Sequence, residues 1–178
     1  MISLTTKTSI STTEYAPFYN GYIQLAPEGL TIANALKHSF EAFFTFFDSL
    51  DENQGLYSYA HGKWTLKEVL IHCIDTERIM SYRALRFARN DQTELPGFEQ
   101  NDYVPQSEAN SRKMADLIEE YKILRQSTIL LFKSFSDDVL KRAGVANGNP
   151  ISVRALGFVI SGHELHHLNV CKERYLLN

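Results

Sequence analysis

The residues best suited to chemistry stand near the end of the chain, in Gly162-His163-Glu164-Leu165-His166-His167. Three of the six histidines fall within five residues there. An imidazole exchanges protons near neutral pH and is the commonest metal ligand. His163 and His167 are four apart, so on a helix they lie one turn apart on the same face. On a wheel of about 100° per residue, Leu156, Ile160, His167 and Cys171 fall beside His163 in an apolar stripe. His166 points to the flank. Two imidazoles projecting into a core need polar partners, because burying unpaired polar groups is costly. Two arrangements meet that need. One is a pair of core-edge histidines hydrogen-bonded to neighbours. The other is a bound metal, for which this spacing is a known ligand spacing.

A metal needs a third ligand, and His72 offers one. It is the only histidine of Trp64-Thr65-Leu66-Lys67-Glu68-Val69-Leu70-Ile71-His72-Cys73-Ile74-Asp75-Thr76-Glu77-Arg78. On a wheel it borders the stripe of Leu66, Val69, Cys73 and Met80, where a side chain can reach a facing helix. Metal sites in helix bundles are assembled from inward side chains in this way. His72, His163 and His167 would supply three neutral nitrogens and leave a position open for water or substrate, the pattern of a catalytic site. Imidazole suits zinc, nickel, copper or iron, so the ligand set does not choose the metal.

The remaining titratable residues are weaker candidates. His38, beside Lys37, reads as a solvated or capping residue, and His61 sits in a loop with Gly62 and could line a mouth. Glu77 falls in the apolar stripe of its helix, where an unpaired carboxylate is expensive. Either a hydrogen bond to a ligand histidine or a core ion pair with an arginine accounts for it, the ion pair being preferred. Cys73 and Cys171 read as small core residues, although Cys171 lies one turn past His167 and could approach the site. Cys171 or Glu164 as a fourth ligand would close the site and make the metal structural.

Two motifs compete with this reading. His163-Glu164-Leu165-His166-His167 matches H-E-x-x-H, the zinc-protease pattern with the glutamate as general base. Such proteases generally take a third ligand from downstream, and eleven residues follow His167, without the metzincin glycine and histidine. Glu164 and His167 also form one E-x-x-H, but a di-iron bundle needs two.

These residues must be positioned by helices. The chain has 178 residues, 44% hydrophobic and 22% charged, which is the balance of one soluble domain. A net charge of −3 offers no general attraction for nucleic acid or anionic membranes. No run is long and apolar enough to span a bilayer. The N-terminus lacks the apolar core of a signal peptide, so a cytoplasmic location is expected. Residues 1–26 lack helical period and carry Tyr15, Phe18, Tyr19 and Tyr22, suggesting an arm packed on the domain. Pro27-Glu28-Gly29 opens a first helix to about Leu50. Thr65 and Glu68 form a capping box for a second, to about Asn90. Asp91–Asn110, with Pro96, Gly97 and Pro105, is a long connection of the kind that is usually functional or a crossover. Ser111 starts a third helix to Phe135, and Asp137-Asp138 caps a short turn. Gly144, Gly148 and Pro150 break the chain, and Ser152 caps a fourth helix from Val153 to about Leu176. Without strand-period alternation, the expectation is an all-α four-helix bundle spanning 1–178, with the long connection crossing between helices two and three.

So arranged, the chain resembles the DinB-like superfamily over nearly its whole length. The resemblance is carried by Glu14-Tyr15-Ala16-Pro17-Phe18-Tyr19-Asn20-Gly21-Tyr22-Ile23 in the arm and by Lys63-Trp64-Thr65 leading to His72, Asp75 and Glu77. It continues in Leu95-Pro96-Gly97-Phe98 with Asp102-Tyr103 and in Ser152-Val153-Arg154. It ends in Gly162-His163-Glu164-Leu165-His166-His167-Leu168 and Glu173-Arg174-Tyr175. A single histidine followed by H-x-x-x-H is its specific part. The resemblance implies an antiparallel-type bundle with a divalent metal, often nickel or zinc, on His72, His163 and His167. It implies a homodimer and, for some members, a low-molecular-weight thiol used in transfer or isomerisation.

A thiol entering the open position would be deprotonated by the metal and become the nucleophile. Hydrolysis by metal-activated water is the other chemistry. No Ser-His-Asp or Cys-His constellation supplies a protein nucleophile. The expected function is therefore metal-dependent transfer or hydrolysis on a small-molecule substrate. A non-catalytic metal-binding or stress-response scaffold with a structural metal is the alternative.

Overall fold

The structure is a computed structural model, and it describes residues 4–175. Residues 1–3 of the expected arm and the expected helix end at Leu176 lie outside the described residues. Eight helices follow in order among them: α1 (Asn20–Leu25), α2 (Ile32–Asp48), α3 (Glu52–Gly55), α4 (Leu66–Ala88), α5 (Gln100–Gln106), α6 (Met114–Lys133), α7 (Asp137–Leu140) and α8 (Val153–Arg174). The four long ones, α2, α4, α6 and α8, form the bundle. Helix α8 packs against both α2 and α4, and α6 packs against the same two from the other side.

The helix starts follow capping chemistry. The Thr65 hydroxyl accepts from the Glu68 amide at 3.1 Å, and the Glu68 carboxylate accepts from the Thr65 amide at 2.8 Å. The Ser152 hydroxyl accepts from the Ala155 amide at 3.1 Å and opens α8. Two starts differ from the expected ones. Helix α2 begins at Ile32 behind the cap residue Thr31, because Gly29 adopts a positive φ of 70° and turns the chain first. Helix α6 begins at Met114, not Ser111. A short 3₁₀ turn occupies Ala109–Ser111, and the Glu52 carboxylate accepts from the Met114 amide at 2.8 Å.

The expectation of no strands is corrected by a small hairpin, β1 (Ala143–Ala146) and β2 (Asn149–Ser152), paired antiparallel. Its turn is Asn147-Gly148, with φ of 53° and 70°. Two successive positive φ values are what a tight hairpin turn requires, and Asn-Gly is the pair best able to supply them. The hairpin anchors the long connection. Leu95 donates its amide to the Val145 carbonyl and accepts from the Asn147 amide, both at 2.9 Å.

The N-terminal arm is packed, as its aromatics suggested. Tyr15, Ala16, Tyr19, Ile23 and Ala26 are buried, and α1 lies along α8. Arg154 fastens it by donating to Glu14 at 2.8 and 2.5 Å. With the arm on one side and α2 and α4 on the others, α8 is buried on nearly every face from Val153 to Glu164. The apolar stripe drawn on its wheel therefore has no polar counterpart in that half.

Gly162 sets the closest approach. A Cβ there would stand 1.7 Å from the Tyr22 carbonyl oxygen, inside the backbone of α1. Only glycine lets the arm lie down beside His163. Gly162→Ala should push α1 off α8 and cost about 1–3 kcal/mol, the usual range for overpacking. The urea midpoint of the variant should fall with little change in slope. An unchanged midpoint would show that the arm is not held there.

Candidate metal centre

His72 projects from the second turn of α4, and His163 and His167 from successive turns of α8. His163 Nε2 stands 3.1 Å from His72 Nε2 and 3.1 Å from His167 Nε2. The ligand atoms of all three lie within 4.8 Å of one another, and this is the one such grouping found among the described residues. Two nitrogens about 2.0–2.1 Å from one ion are about 3.0 Å apart at a right angle and about 3.4 Å at a tetrahedral angle. The observed 3.1 Å lies between those edges. Without an ion, His163 Nε2 has one hydrogen or one lone pair to offer two facing ring nitrogens, so it cannot make a full hydrogen bond to both. The donor set and its spacing thus fit a divalent cation with nitrogen affinity.

Burial keeps these imidazoles neutral. His72 is pulled down to about 4, first by burial and then by the neighbouring His166. His167 is pulled down to about 3 by burial, His72 and His166, and His163 lies well below the usual histidine value for the same first reason. A neutral imidazole is the form that ligates metal.

The surroundings separate residues that meet the triad from those that do not. The Trp64 ring lies 4.9 Å from that of His72. Tyr22 sets its ring edge-on to His163 at 5.2 Å and to His166 at 5.5 Å. His166 is half-buried, its ring 5.1 Å from that of His167, but it is outside the triad. His38 and His61 are both exposed and likewise outside it. Cys171 is fully buried in the apolar core, where burial pushes its thiol up to about 12, and burial likewise raises the thiol of Cys73 well above its usual value. Neither joins the triad.

Glu164 turns away from the histidines. It accepts from both terminal nitrogens of Arg125, at 2.9 and 2.8 Å, and from the Tyr121 hydroxyl. Glu77 takes the other side of the same guanidinium at 2.8–3.2 Å, the expected core ion pair. Arg125 also donates to the Leu36 carbonyl at 2.8 Å and to the Ser39 hydroxyl at 3.1 Å. One buried arginine thus ties together all four bundle helices. Arg125 and Tyr121 are residues that the sequence reading passed over. Tyr121 and Arg125 lie one turn apart and share one buried face of α6.

Two cavities flank the triad. One, of about 270 Å³, is bounded by Trp64, Lys63, Asn101, His166, His167 and Tyr175. Trp64, Gly62 and Lys63 of the loop that carries His61, and Asn101 of the long connection line this cavity beside the triad; His61 itself does not. The other, of about 260 Å³, lies between the arm, α4 and the long connection and reaches His163.

The sequence profile of the DinB superfamily matches residues 35–171. The chain belongs to the DinB superfamily. Among curated proteins none matches it. Among solved structures it is similar to YfiT from Bacillus subtilis, a probable metal-dependent hydrolase with an unusual four-helix bundle topology. The TM-score is 0.68 at 16% identity, over 93% of this chain and 87% of that one. It is also similar to a mycothiol-dependent maleylpyruvate isomerase, with a TM-score of 0.63 at 11% identity, over 92% of this chain and 62% of that one. At these identities the likeness establishes the shared fold.

The depressed histidines carry a pH dependence in the metal-free protein. Unfolded, they bind protons near 6.5; folded, His72 and His167 do so only near 4 and 3. Between those values the unfolded chain holds more protons, so stability is complete above about 6.5 and falls as the pH falls. Each histidine contributes up to about 1.4 kcal/mol per pH unit in that window. Urea unfolding of chelator-treated protein should lose stability between pH 6.5 and 5, above the carboxylate range. His167→Gln should flatten that slope. An identical slope in the variant would contradict it.

Proposed function

We propose that this chain is a divalent-metal-dependent enzyme of transfer or hydrolysis, with His72, His163 and His167 holding the ion. The observation that carries the reading is the ligand count. Three side chains converge, while Glu164 and Cys171, the two residues able to close the site, are committed elsewhere in the core. Structural zinc sites are usually closed by four protein ligands, and catalytic ones keep a position open. The two cavities beside the triad give a substrate room to reach that position. The scaffold alternative, with a structural metal, is therefore the weaker reading. Nickel and zinc are the proposed ions, matching neutral imidazole ligands.

An ion held there would supply Lewis acidity, bringing a bound water or thiol to its deprotonated form near neutral pH. The chain's own residues do the rest. Three neutral imidazoles leave the ion's positive charge undiminished, which favours an anionic ligand such as a thiolate. The arm and α4 screen His163 from bulk water. Burial raises the Tyr22 phenol above its usual value, so it stays protonated as a hydrogen-bond donor beside His163. Glu164 cannot serve as the general base of a zinc protease, because Arg125 and Tyr121 occupy its oxygens. A low-molecular-weight thiol is the proposed co-substrate; metal-activated water is the second reading, favoured by the polar rim of Lys63 and Asn101.

Cobalt-loaded protein tests the reading. We expect one cobalt per chain, lost on His72→Ala, His163→Ala or His167→Ala and retained on His166→Ala. Adding a small thiol should produce a sulfur-to-metal charge-transfer band that His163→Ala abolishes. Full retention in any triad variant removes that residue from the ligand set. A sulfur band present before thiol is added means that Cys171 closes the site.

A further inference from the structure

We propose that the cavity reaching His163 is a seat for an elongated monocarboxylate, whose carboxylate pairs with Arg83 while its other end lies at the triad. The inference rests on the reading of the triad as the reacting centre and adds the class of ligand. Arg83 is 3% exposed. It donates to the Pro96 carbonyl at 2.8 Å and touches Met80 Sδ at 3.7 Å. Among the described residues no carboxylate forms an ion pair with it. Arg125, the other fully buried arginine of α4 and α6, has two. A guanidinium has five N–H donors, and a buried charge without a counter-ion is costly. Arg83 is therefore short of an anion.

A second observation points into the same cavity. The Thr76 hydroxyl is buried, with 4% of the residue exposed, and has no hydrogen-bond partner. Thr76, Met80 and Arg83 all line this cavity, and with His72 they follow one another at helical spacing down one face of α4. The Tyr19 hydroxyl stands beside Arg83, which pulls against the rise that burial imposes on it. One permanent cation and two neutral hydroxyls match a single negative charge. Glu99, which caps α5 and also lines the cavity, weighs against a dianion. Guanidinium recognises a planar carboxylate through paired parallel hydrogen bonds.

Length and girth narrow the ligand further. Arg83 and His163 line the same cavity, so a ligand that pairs with the guanidinium and reaches the triad is extended along it. About 260 Å³ is small beside ordinary ligand sites of about 300–1,000 Å³, so it is also slender. Tyr22 and Phe98 give the cavity an apolar wall.

The test is calorimetric titration with hexanoate as the probe, with inorganic phosphate and hexylamine as comparators. It is run on zinc-loaded and on chelator-treated protein. Hexanoate should bind both forms, phosphate and hexylamine neither. Arg83→Gln should weaken hexanoate at least tenfold, about 1.4 kcal/mol, with zinc content unchanged. Thr76→Val, isosteric and free of the buried hydroxyl, should weaken it several-fold without loss of thermal stability, which separates a ligand role from a structural one. Hexanoate binding that ignores both substitutions overturns the inference, as does phosphate binding more tightly through Arg83. If zinc fails to bind while hexanoate still depends on Arg83 and Thr76, the metal reading fails and the anion seat stands.

Discussion

The guanidinium of Arg125, buried where the four long helices meet, is the interaction on which the geometry of the centre depends. It comes from α6 and engages Glu77 of α4, Glu164 of α8, and Leu36 and Ser39 of α2. Charges removed from water are tolerated only when paired and fully hydrogen-bonded. Here one cation meets two carboxylates, Tyr121 donates to one of them, and burial holds Glu164 above the usual carboxylate value. Removing a partner from such a cluster costs about 3–5 kcal/mol, because it strands a buried charge. Apolar packing tolerates sliding of one helix past another; this cluster does not. Glu77 lies five residues after His72, and Glu164 directly follows His163. The cluster thus fixes the two histidine-bearing helices in one register, and the histidines meet as a consequence.

The triad itself is a region of unmet polarity. Three imidazoles held neutral by burial face each other through ring nitrogens about a ligand edge apart. Hydrogen bonding alone satisfies this poorly, and a cation satisfies it well. The arm completes the enclosure. Gly162 admits the backbone of Tyr22, which brings a phenol beside His163 and closes one wall of a cavity. The residue before His163 therefore matters as much as His163 itself, through its missing side chain.

Much of this was legible in the residues. Thr65 with Glu68 and Ser152 mark helix starts that the structure reproduces, because capping is local chemistry. The spacing of His163 and His167, with a lone stripe-edge histidine on another helix, pointed to the grouping found. The hairpin was missed although Asn147-Gly148 announces it, since its strands are four residues each and carry no alternation long enough to notice. The destination of Glu164 was also hidden. H-E-x-x-H fixes which residues share a turn, but not which way the glutamate faces; that depends on Arg125, thirty-nine positions earlier. Arg83 and Thr76 gave no signal either, because an unpaired buried group is defined by what is missing around it in three dimensions.

X-ray absorption at the metal edge of zinc-loaded protein addresses the central claim most directly. The account predicts three imidazole nitrogens at about 2.0–2.1 Å and a remaining light scatterer that an added ligand replaces. A sulfur at about 2.3 Å, or a shell already filled by protein side chains, would contradict it and make the ion a structural one.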